Sequence, residues 1–242
     1  MRTCFLLPLL AVALANMRPA LTVAHADDIL NQARARYAAL KSYADTGTVV
    51  NEYGPGRGQV IADRHTFSTF YRAPRHFFFE FRKSGGERFV IWSEGREFNT
   101  WWSSTKVHET YAQGRGTLAF ALAAQPTKNS ALQIPALIFS AAGLHGPIES
   151  LQQPQTAGME DISGHRCHKI TGRVAMAYGT GYTGAAVPTT VWIDAESLLV
   201  RKVFEDTAAG APGINRTTTT FEPQANPQLD DSRFRFAVPN DK

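Results

Sequence analysis

A stretch of alternating aromatic residues between Phe67 and Trp102 constrains the fold of this chain more than any other feature. It contains 12 of the 26 aromatic residues of the protein. Phe77, Phe79 and Phe81 are separated by single residues, two positions apart along the chain. Because successive side chains of a β-strand point to opposite faces, this period predicts a sheet with one apolar and one polar face.

Turn-forming residues divide the chain into strands. Within the aromatic stretch the breaks are Ala73-Pro74, Ser84-Gly85-Gly86 and Glu94-Gly95, which predict antiparallel strands near residues 64–72, 76–83, 87–93 and 96–103. Other strands are expected at Tyr43–Tyr53, from Gln59–Asp63 into the aromatic stretch, at Lys106–Tyr111, near 148–161, 164–174, 187–195, 198–207 and 213–222, and at Arg233–Phe236.

Three segments have helical rather than strand character. Residues 27–41 are predicted to form a helix whose apolar stripe consists of Leu30, Ala33, Tyr37 and Leu40. Thr117–Ala124 and Pro135–Ala142 are predicted to be short apolar helices, with Gly143 suited to a C-terminal cap. Neither short helix has a polar face, so we expect the sheet to cover both.

These elements predict an α+β fold built on a single long curved antiparallel sheet. A sheet of about ten strands tends to curl, which favours an incomplete, half-open β-barrel. The N-terminal helix precedes this sheet, and the short apolar helices are expected to plug its concave face. Composition does not shift along the chain, so residues 27–242 are expected to form one domain.

The first 26 residues have the pattern of a secretory signal peptide. Arg2 precedes an apolar run from Cys4 to Ala15, and Ala24-His25-Ala26 is a small-x-small cleavage site. No later apolar run reaches membrane-spanning length, so no transmembrane segment is expected after cleavage. We therefore predict export to the periplasm of a Gram-negative bacterium.

Charge and cysteine content exclude several classes of function. Without the signal peptide, the chain has 23 basic and 21 acidic residues and no basic run, so nucleic acid is not an expected partner. Cys167 would be the only remaining cysteine, and one cysteine cannot form an intramolecular disulfide.

Motifs that would indicate catalysis or a cofactor are incomplete. Residues 179–184 match G-x-G-x-x-G, but a predicted strand follows where a nucleotide-binding helix would begin. His108-Glu109 lacks the second histidine of H-E-x-x-H, and His165, Cys167 and His168 offer two ligands on one strand face where zinc needs three or four. The chain also lacks a G-x-S-x-G elbow and a P-loop. We therefore expect neither an enzyme nor a bound cofactor or metal.

The aromatic face is the remaining candidate site, because such a face must either pack against other elements or hold an apolar ligand. From alternation we predict that its lining comes from both the sheet and the short helices. The candidates are Phe67, Tyr71, Phe77, Phe79, Phe81 and Trp101 from the sheet, and Leu118, Phe120, Leu137 and Phe139 from the helices. A register slip of one residue would invert this assignment.

The chain resembles the LolA/LolB superfamily of periplasmic outer-membrane lipoprotein carriers, and within it a LolA-like branch of predicted periplasmic proteins. The resemblance covers nearly all of residues 27–242. It rests on Tyr43, Asp45, Gly47, Val49, Phe67, Phe70, Pro74, Phe77–Arg82, Ile91-Trp92, Gly95, Gly164, Cys167, Trp192-Ile193-Asp194, Leu199-Val200-Arg201-Lys202, Phe234 and Phe236.

The resemblance implies a half-open barrel that holds acyl chains beneath short helices. No catalytic residue is implied, and the arginine that latches the helices in the carriers could correspond to Arg64, Arg72, Arg75 or Arg82. The function expected on this basis is binding of an acyl chain, lipid or lipoprotein. The alternatives are an envelope sensor that binds a protein partner and an enzyme acting on an envelope lipid.

Overall fold

A computed structural model describes residues 25–55, 59–111, 138, 148, 150–174, 186–207 and 213–239. Several sequence predictions fall outside these residues. They are the signal-peptide segment up to residue 24, the short helices at 117–124 and 135–142 apart from Ile138, and the glycine-rich motif at 179–184.

The described residues form one α-helix, twelve strands and a 3-10 helix. The helix α1 is Ala26–Ala38, and the 3-10 helix is Asp231–Phe234. The strands are β1 (Ser42–Gly54), β2 (Ile61–Arg72), β3 (His76–Arg82), β4 (Arg88–Glu94), β5 (Phe98–Trp102), β6 (Val107–Tyr111), β7 (Leu151–Ile162), β8 (His165–Val174), β9 (Val187–Asp194), β10 (Val200–Asp206), β11 (Ile214–Phe221) and β12 (Gln224–Ala225).

All twelve strands belong to one antiparallel sheet that is not closed into a barrel. Its order is β6-β5-β4-β3-β2-β1-β11-β10-β9-β8-β7, and β12 pairs with the start of β1. Successive hairpins build one side of the sheet from β2 to β6 and the other from β7 to β11, so β1 lies at the centre. The predicted fold class, an α+β fold with a long half-barrel sheet, is confirmed.

Hairpin turns join neighbouring strands where the sequence predicts them. In the β7–β8 turn, Ser163 and Gly164 have φ angles of 50° and 83°. A two-residue loop with both central residues at positive φ matches the right-handed twist of the flanking strands. Glycine adopts this conformation without steric cost, so Gly164 suits the turn between β7 and β8.

Helix α1 packs its apolar stripe against one face of the sheet, which we call the inner face. The predicted stripe is buried, and Ala26 and Ile29 extend it. These residues share a hydrophobic core with the inward side chains of the sheet. Asp27 and Asp28 lie in the first helical turn, where the positive end of the helix dipole favours acidic groups. Of the helices in the described ranges, none has the length and apolar character needed to cross a bilayer.

The C-terminal segment does not form the predicted strand at Arg233–Phe236. Asp230 instead accepts a hydrogen bond of 2.8 Å from the Ser232 N–H, which starts the 3-10 helix. Phe234 is buried against His76, and Phe236 packs on the outer face of the sheet against Trp92. The alternation of Phe234 and Phe236 therefore serves side-chain packing rather than main-chain pairing.

Candidate ligand-binding face

The inner face of the sheet has an aromatic side, which we call the aromatic flank. It consists of the buried inward residues of β2 to β5: Phe67, Tyr71, Phe77, Phe79, Phe81, Phe89, Ile91 and Phe98. Strand register brings them together, because Phe67 lies opposite Phe81 and Tyr71 lies opposite Phe77. The rings of Phe67 and Phe79 are stacked with centroids 6.4 Å apart.

Gly47 allows the aromatic flank to reach the centre of the sheet. A Cβ atom at this position would lie 2.3 Å from the Phe67 ring and 2.2 Å from the Thr220 carbonyl oxygen. Any side chain there would therefore displace the ring or the neighbouring strand. Because Gly47 leaves this space open, Phe67 packs edge-on against Phe221 with a centroid separation of 5.4 Å.

The inner face has a second, aliphatic side on β8 to β10, which we call the aliphatic flank. It consists of Ile170, Val174, Val187, Val191, Ile193, Val200 and Val203, all buried. Helix α1 is fixed to this side, since the Val200 N–H donates a hydrogen bond of 3.1 Å to the Tyr37 hydroxyl oxygen. Arg34 also donates a hydrogen bond of 2.7 Å to the Ile148 carbonyl oxygen.

Five of the residues predicted to line the site lie together in this inner core: Phe67, Tyr71, Phe77, Phe79 and Phe81. Leu118, Phe120, Leu137 and Phe139 lie outside the described residues. Ile138, between the last two, is partly buried and packs against the inner core.

The prediction that Trp101 faces the same side as Phe79 is wrong. Trp101 belongs to a separate cluster with Val90 and Trp92 on the outer face, where Phe236 covers it. The β4–β5 register places Val90 opposite Trp101 and Ile91 opposite Thr100. Inward positions are therefore odd-numbered in β4 but even-numbered in β5, and alternation counted across the turn assigns Trp101 to the wrong face.

Sequence reasoning also missed inward residues beyond this turn. Phe98, Thr100 and Trp102 alternate on β5, and Tyr111 lies opposite Phe98 on β6. The aromatic rings of Phe77 and Phe98 meet edge-on with centroids 6.2 Å apart. A correct length for the turn between β4 and β5 would have identified these residues, because that length fixes which face each residue occupies.

An open cavity of about 270 Å³ lies where the aromatic flank meets β6. Its lining residues are Phe89, Thr100, Trp102, Thr105, Val107, Glu109 and Tyr111. Phe89 is buried at the base, Trp102 and Tyr111 are partly buried, and Val107 is exposed at the edge. The cavity thus continues the aromatic flank towards the solvent.

Charged groups surround this cavity. Lys83 Nζ lies 5.7 Å from the centroid of the Trp102 ring and forms an ion pair of 2.6 Å with Glu87. Inside the cavity, the Tyr111 hydroxyl donates a hydrogen bond to Glu109. An apolar ligand in this position would have aromatic side chains beneath it and polar groups at its exposed end.

A larger depression of about 370 Å³ lies elsewhere, across β1, β2 and β3. Its lining consists of Thr46, Gly47, Thr48, Thr66, Phe67, Ser68, Glu80, Arg82 and Glu222. The even-numbered residues of β1 to β3 in this lining lie on the outer face of the sheet, so size does not make this depression the better candidate for a ligand of the aromatic flank.

A buried carboxylate lies at the centre of the inner face. Asp45 on β1 is 2% exposed, and the Tyr43 hydroxyl donates a hydrogen bond of 2.8 Å to its Oδ2 atom. Burial raises the pKa of Asp45 to about 7, because it disfavours the charged form, and the contacts with Thr69 and Tyr43 do not offset this effect. Burial also raises the pKa of Tyr37 and Tyr43.

Ser84, Asp63 and His65 come together in a way that resembles a hydrolase triad in composition only. The Ser84 hydroxyl donates to Asp63, and the Ser84 main-chain N–H donates to His65 Nδ1 at 3.3 Å. A nucleophilic serine must instead donate its hydroxyl proton to the histidine. This arrangement therefore holds the β3–β4 turn against β2 and does not activate a nucleophile.

His165 and Cys167 of β8 also have structural partners. His165 Nδ1 and Arg201 each lie 3.0 Å from Asp194, which accepts hydrogen bonds from the N–H groups of the following turn. Burial raises the pKa of the Cys167 thiol to about 11. Among the residues that the structure describes, no three metal-ligating side chains lie close enough together to hold an ion.

A family model for predicted periplasmic proteins, DUF2092, matches residues 26–242. The chain belongs to the DUF2092 family. The periplasmic location predicted from the N-terminal segment is thus confirmed by the family to which the chain belongs. No curated protein matches this DUF2092 chain.

Several solved structures are similar to this DUF2092 protein at low identity. LprF from Mycobacterium bovis is 12% identical, with a TM-score of 0.49 over 89% of this chain and 96% of its own. The LolA superfamily protein NE2245 from Nitrosomonas europaea is 11% identical, with a TM-score of 0.34 over 88% and 99%. A chain of the Pseudomonas aeruginosa MucA/MucB complex is 13% identical, with a TM-score of 0.43 over 88% of this chain and 61% of its own.

The LolA superfamily, which the sequence resembles, is thus represented among the similar structures. Each of the three TM-scores is below 0.5, so these similarities concern only the general path of the chain.

Proposed function

We propose that residues 27–242 form a single-domain periplasmic binding protein that holds an acyl chain or another lipid-like ligand on the aromatic flank. The main support is the continuity between this buried aromatic flank and the open cavity at β4 to β6. Apolar walls with a few polar groups at one end are typical of small-molecule sites.

The proposed mechanism is exchange of the ligand rather than catalysis. Burial of each methylene contributes about 0.8 kcal/mol, so a long chain would be held firmly but reversibly. The proposed lining residues are Phe67, Tyr71, Phe77, Phe79 and Phe81, together with Phe89 and Trp102 at the cavity and Leu118, Phe120, Leu137 and Phe139. Such a protein would act in lipid or lipoprotein trafficking within the cell envelope.

The direct test is native mass spectrometry of the mature protein, purified gently from a bacterial periplasm and then denatured to identify what it releases. We expect a bound fatty acid, phospholipid or acylated peptide. A mass equal to that of the chain alone would contradict the proposal and favour an envelope sensor or interaction domain that binds a protein partner.

Two exposed residues offer a matched pair of variants for the same experiment. Val107 lines the cavity and is 49% exposed, whereas Ile61 is 54% exposed and lies outside its lining. Val107→Asp would place a charge beside the bound ligand and should reduce occupancy by about tenfold. Ile61→Asp should leave occupancy unchanged, and equal losses in both variants would contradict the site.

A further inference from the structure

The strands at the two edges of the sheet differ in how well they could pair with a further strand. At one edge, β7 contains Pro154, whose nitrogen cannot donate a hydrogen bond, and its register against β8 shifts twice. Gln153 and Gly158 lie at these shifts and have φ angles of 50° and 95°. Proline and bulges of this kind protect an edge strand from pairing with another chain.

The strand at the other edge, β6, has neither proline nor a bulge. Its five residues pair with β5 in one continuous register. Val107 lies opposite Trp102 at one end, and Tyr111 lies opposite Phe98 at the other. Within the part of the chain that the structure describes, β5 is the only strand paired with β6. The regular main chain of β6 is therefore suited to a second neighbour.

The side chains of β6 are also accessible. Four of its residues are exposed, and the fifth, Tyr111, is partly buried; the exposed residues are Val107, His108, Glu109 and Thr110. By contrast, β4, two strands further in, is mostly buried. An exposed edge strand presents a row of main-chain N–H and C=O groups to any extended chain that approaches it.

The charge on β6 indicates which kind of chain would pair best. Glu109 is the middle residue of the strand, lines the cavity on the inner face and lies opposite Thr100 of β5. Its Oε2 atom accepts a hydrogen bond from the Tyr111 hydroxyl. Among the described residues, no lysine, arginine or histidine forms an ion pair with Glu109. A basic side chain directly opposite Glu109 on an added strand would supply the missing charge.

A second copy of this chain suits β6 less well. If two β6 strands paired antiparallel over their full length, Glu109 would lie opposite the same residue of the other copy. Like charges directly opposite each other destabilise a strand pair. The charge of this edge therefore favours a different protein as the partner.

We propose that β6 binds an extended segment of a partner protein by strand addition. The segment runs antiparallel, as do all neighbours in this sheet, and places a lysine or arginine opposite Glu109. Apolar residues two positions before and after the basic residue lie opposite Tyr111 and Val107, where aromatic and β-branched side chains pair favourably. The inference goes beyond the proposed function, and the added strand would extend the wall of the cavity at β6.

The test uses a synthetic peptide, Thr-Val-Thr-Lys-Thr-Tyr-Thr, blocked at both ends, and the same peptide with glutamate in place of lysine. NMR titration of the full mature chain should give a dissociation constant about fivefold lower for the lysine peptide, because its charge attracts Glu109 and that of the glutamate peptide repels it. The amide signals of β6 should shift on binding. Equal affinities, or no binding of either peptide, would overturn the proposal.

Charge reversal identifies the residue responsible. Glu109→Lys should reverse the preference, so that the glutamate peptide binds about fivefold more tightly. Glu97→Lys makes the same change of charge at an exposed position between β4 and β5 and should behave as the wild type. An unchanged preference for the lysine peptide in a folded Glu109→Lys variant would show that the peptide binds elsewhere.

Methylation of the peptide nitrogens tests the main-chain pairing. In an antiparallel pair, alternate residues exchange hydrogen bonds with the neighbouring strand. Two versions of the lysine peptide, N-methylated at alternate residues in opposite phase, should therefore differ, with one losing binding and the other retaining it. Equal binding of the two versions would overturn strand addition. A wild-type dimer that the lysine peptide dissociates would assign β6 to a second copy and would overturn the partner protein.

Discussion

The aromatic and aliphatic flanks share one inner face but close it in different ways. Branched side chains fill the aliphatic flank, and α1 covers it through the Tyr37–Val200 hydrogen bond of 3.1 Å. The aromatic flank is built from rings and ends at a cavity of about 270 Å³ at β6. One sheet can therefore combine a firmly covered side with a side that has room for a ligand.

This difference follows from the kinds of side chain that each flank contains. Short branched residues pack closely against a helix laid over a sheet. The aromatic flank is equally buried at Phe77 and Phe79 but ends at the partly buried rings of Trp102 and Tyr111, which line the cavity. Under the proposed function, the aromatic flank binds the ligand and the aliphatic flank mainly supports the fold.

The largest expected difference between the flanks concerns stability. Phe79 and Val203 are both completely buried. Phe79→Ala should lower the free energy of unfolding by about 3 to 5 kcal/mol, because it removes a ring and leaves a cavity. Val203→Ala should cost about 2 kcal/mol, since only two methyl groups are lost. Urea denaturation of both variants measures the two costs.

An equal loss in the free energy of unfolding for Val203→Ala and Phe79→Ala would contradict the expected difference between the flanks. Stabilisation by a ligand gives a second measure of that difference. A long-chain fatty acid methyl ester should stabilise Phe79→Ala against urea by filling the new space, and should give Val203→Ala no more stability than it gives the wild type.

Asp45 lies on β1, the strand where the two flanks meet, and should make stability depend on pH. Its pKa of about 7 in the folded state exceeds the value of an exposed aspartate, so the folded state holds its proton more tightly. This contribution is complete below about pH 4 and is lost as pH rises to 7. Between pH 5 and 8 the loss should be about 2 to 3 kcal/mol.

Urea denaturation at several pH values checks this expectation. Asp45→Asn should remove this part of the pH dependence, whereas Asp231→Asn at an exposed position should retain it. If the wild type and Asp45→Asn lose the same stability between pH 5 and 8, the carboxyl of Asp45 does not titrate in this range.

The aromatic flank could be predicted from the sequence because its alternation is local. Phe77, Phe79 and Phe81 lie within one strand, where the period of two fixes their common face. Trp101 could not be placed in this way, because its face depends on the length of the β4–β5 turn. The length of the turn decides whether odd- or even-numbered residues of the next strand face inward, and the hydrophobicity of the strands does not reveal that length.

The contact between Asp45 and Thr69 could not be predicted for a different reason. Asp45 and Thr69 are separated by a turn and belong to different strands, and only the β1–β2 register brings them together. The C-terminal segment failed similarly, since Phe234 and Phe236 have the spacing of a strand but bind to the sheet through their rings. Alternation indicates which side chains share a face and not what the main chain pairs with.

The smallest expected effect separates the two faces at a single pair of neighbours. Trp102 lines the cavity on the inner face, and Trp101 packs beneath Phe236 on the outer face. Trp102→Leu should weaken binding of a long-chain fatty acid methyl ester about fivefold, because about 1 kcal/mol of apolar contact is lost. Trp101→Leu should leave the dissociation constant unchanged, even though it removes a ring of similar size. Fluorescence or calorimetric titration of both variants gives the two constants. A loss confined to Trp101→Leu would place the ligand on the outer face and would reverse the assignment of the two sides of the sheet.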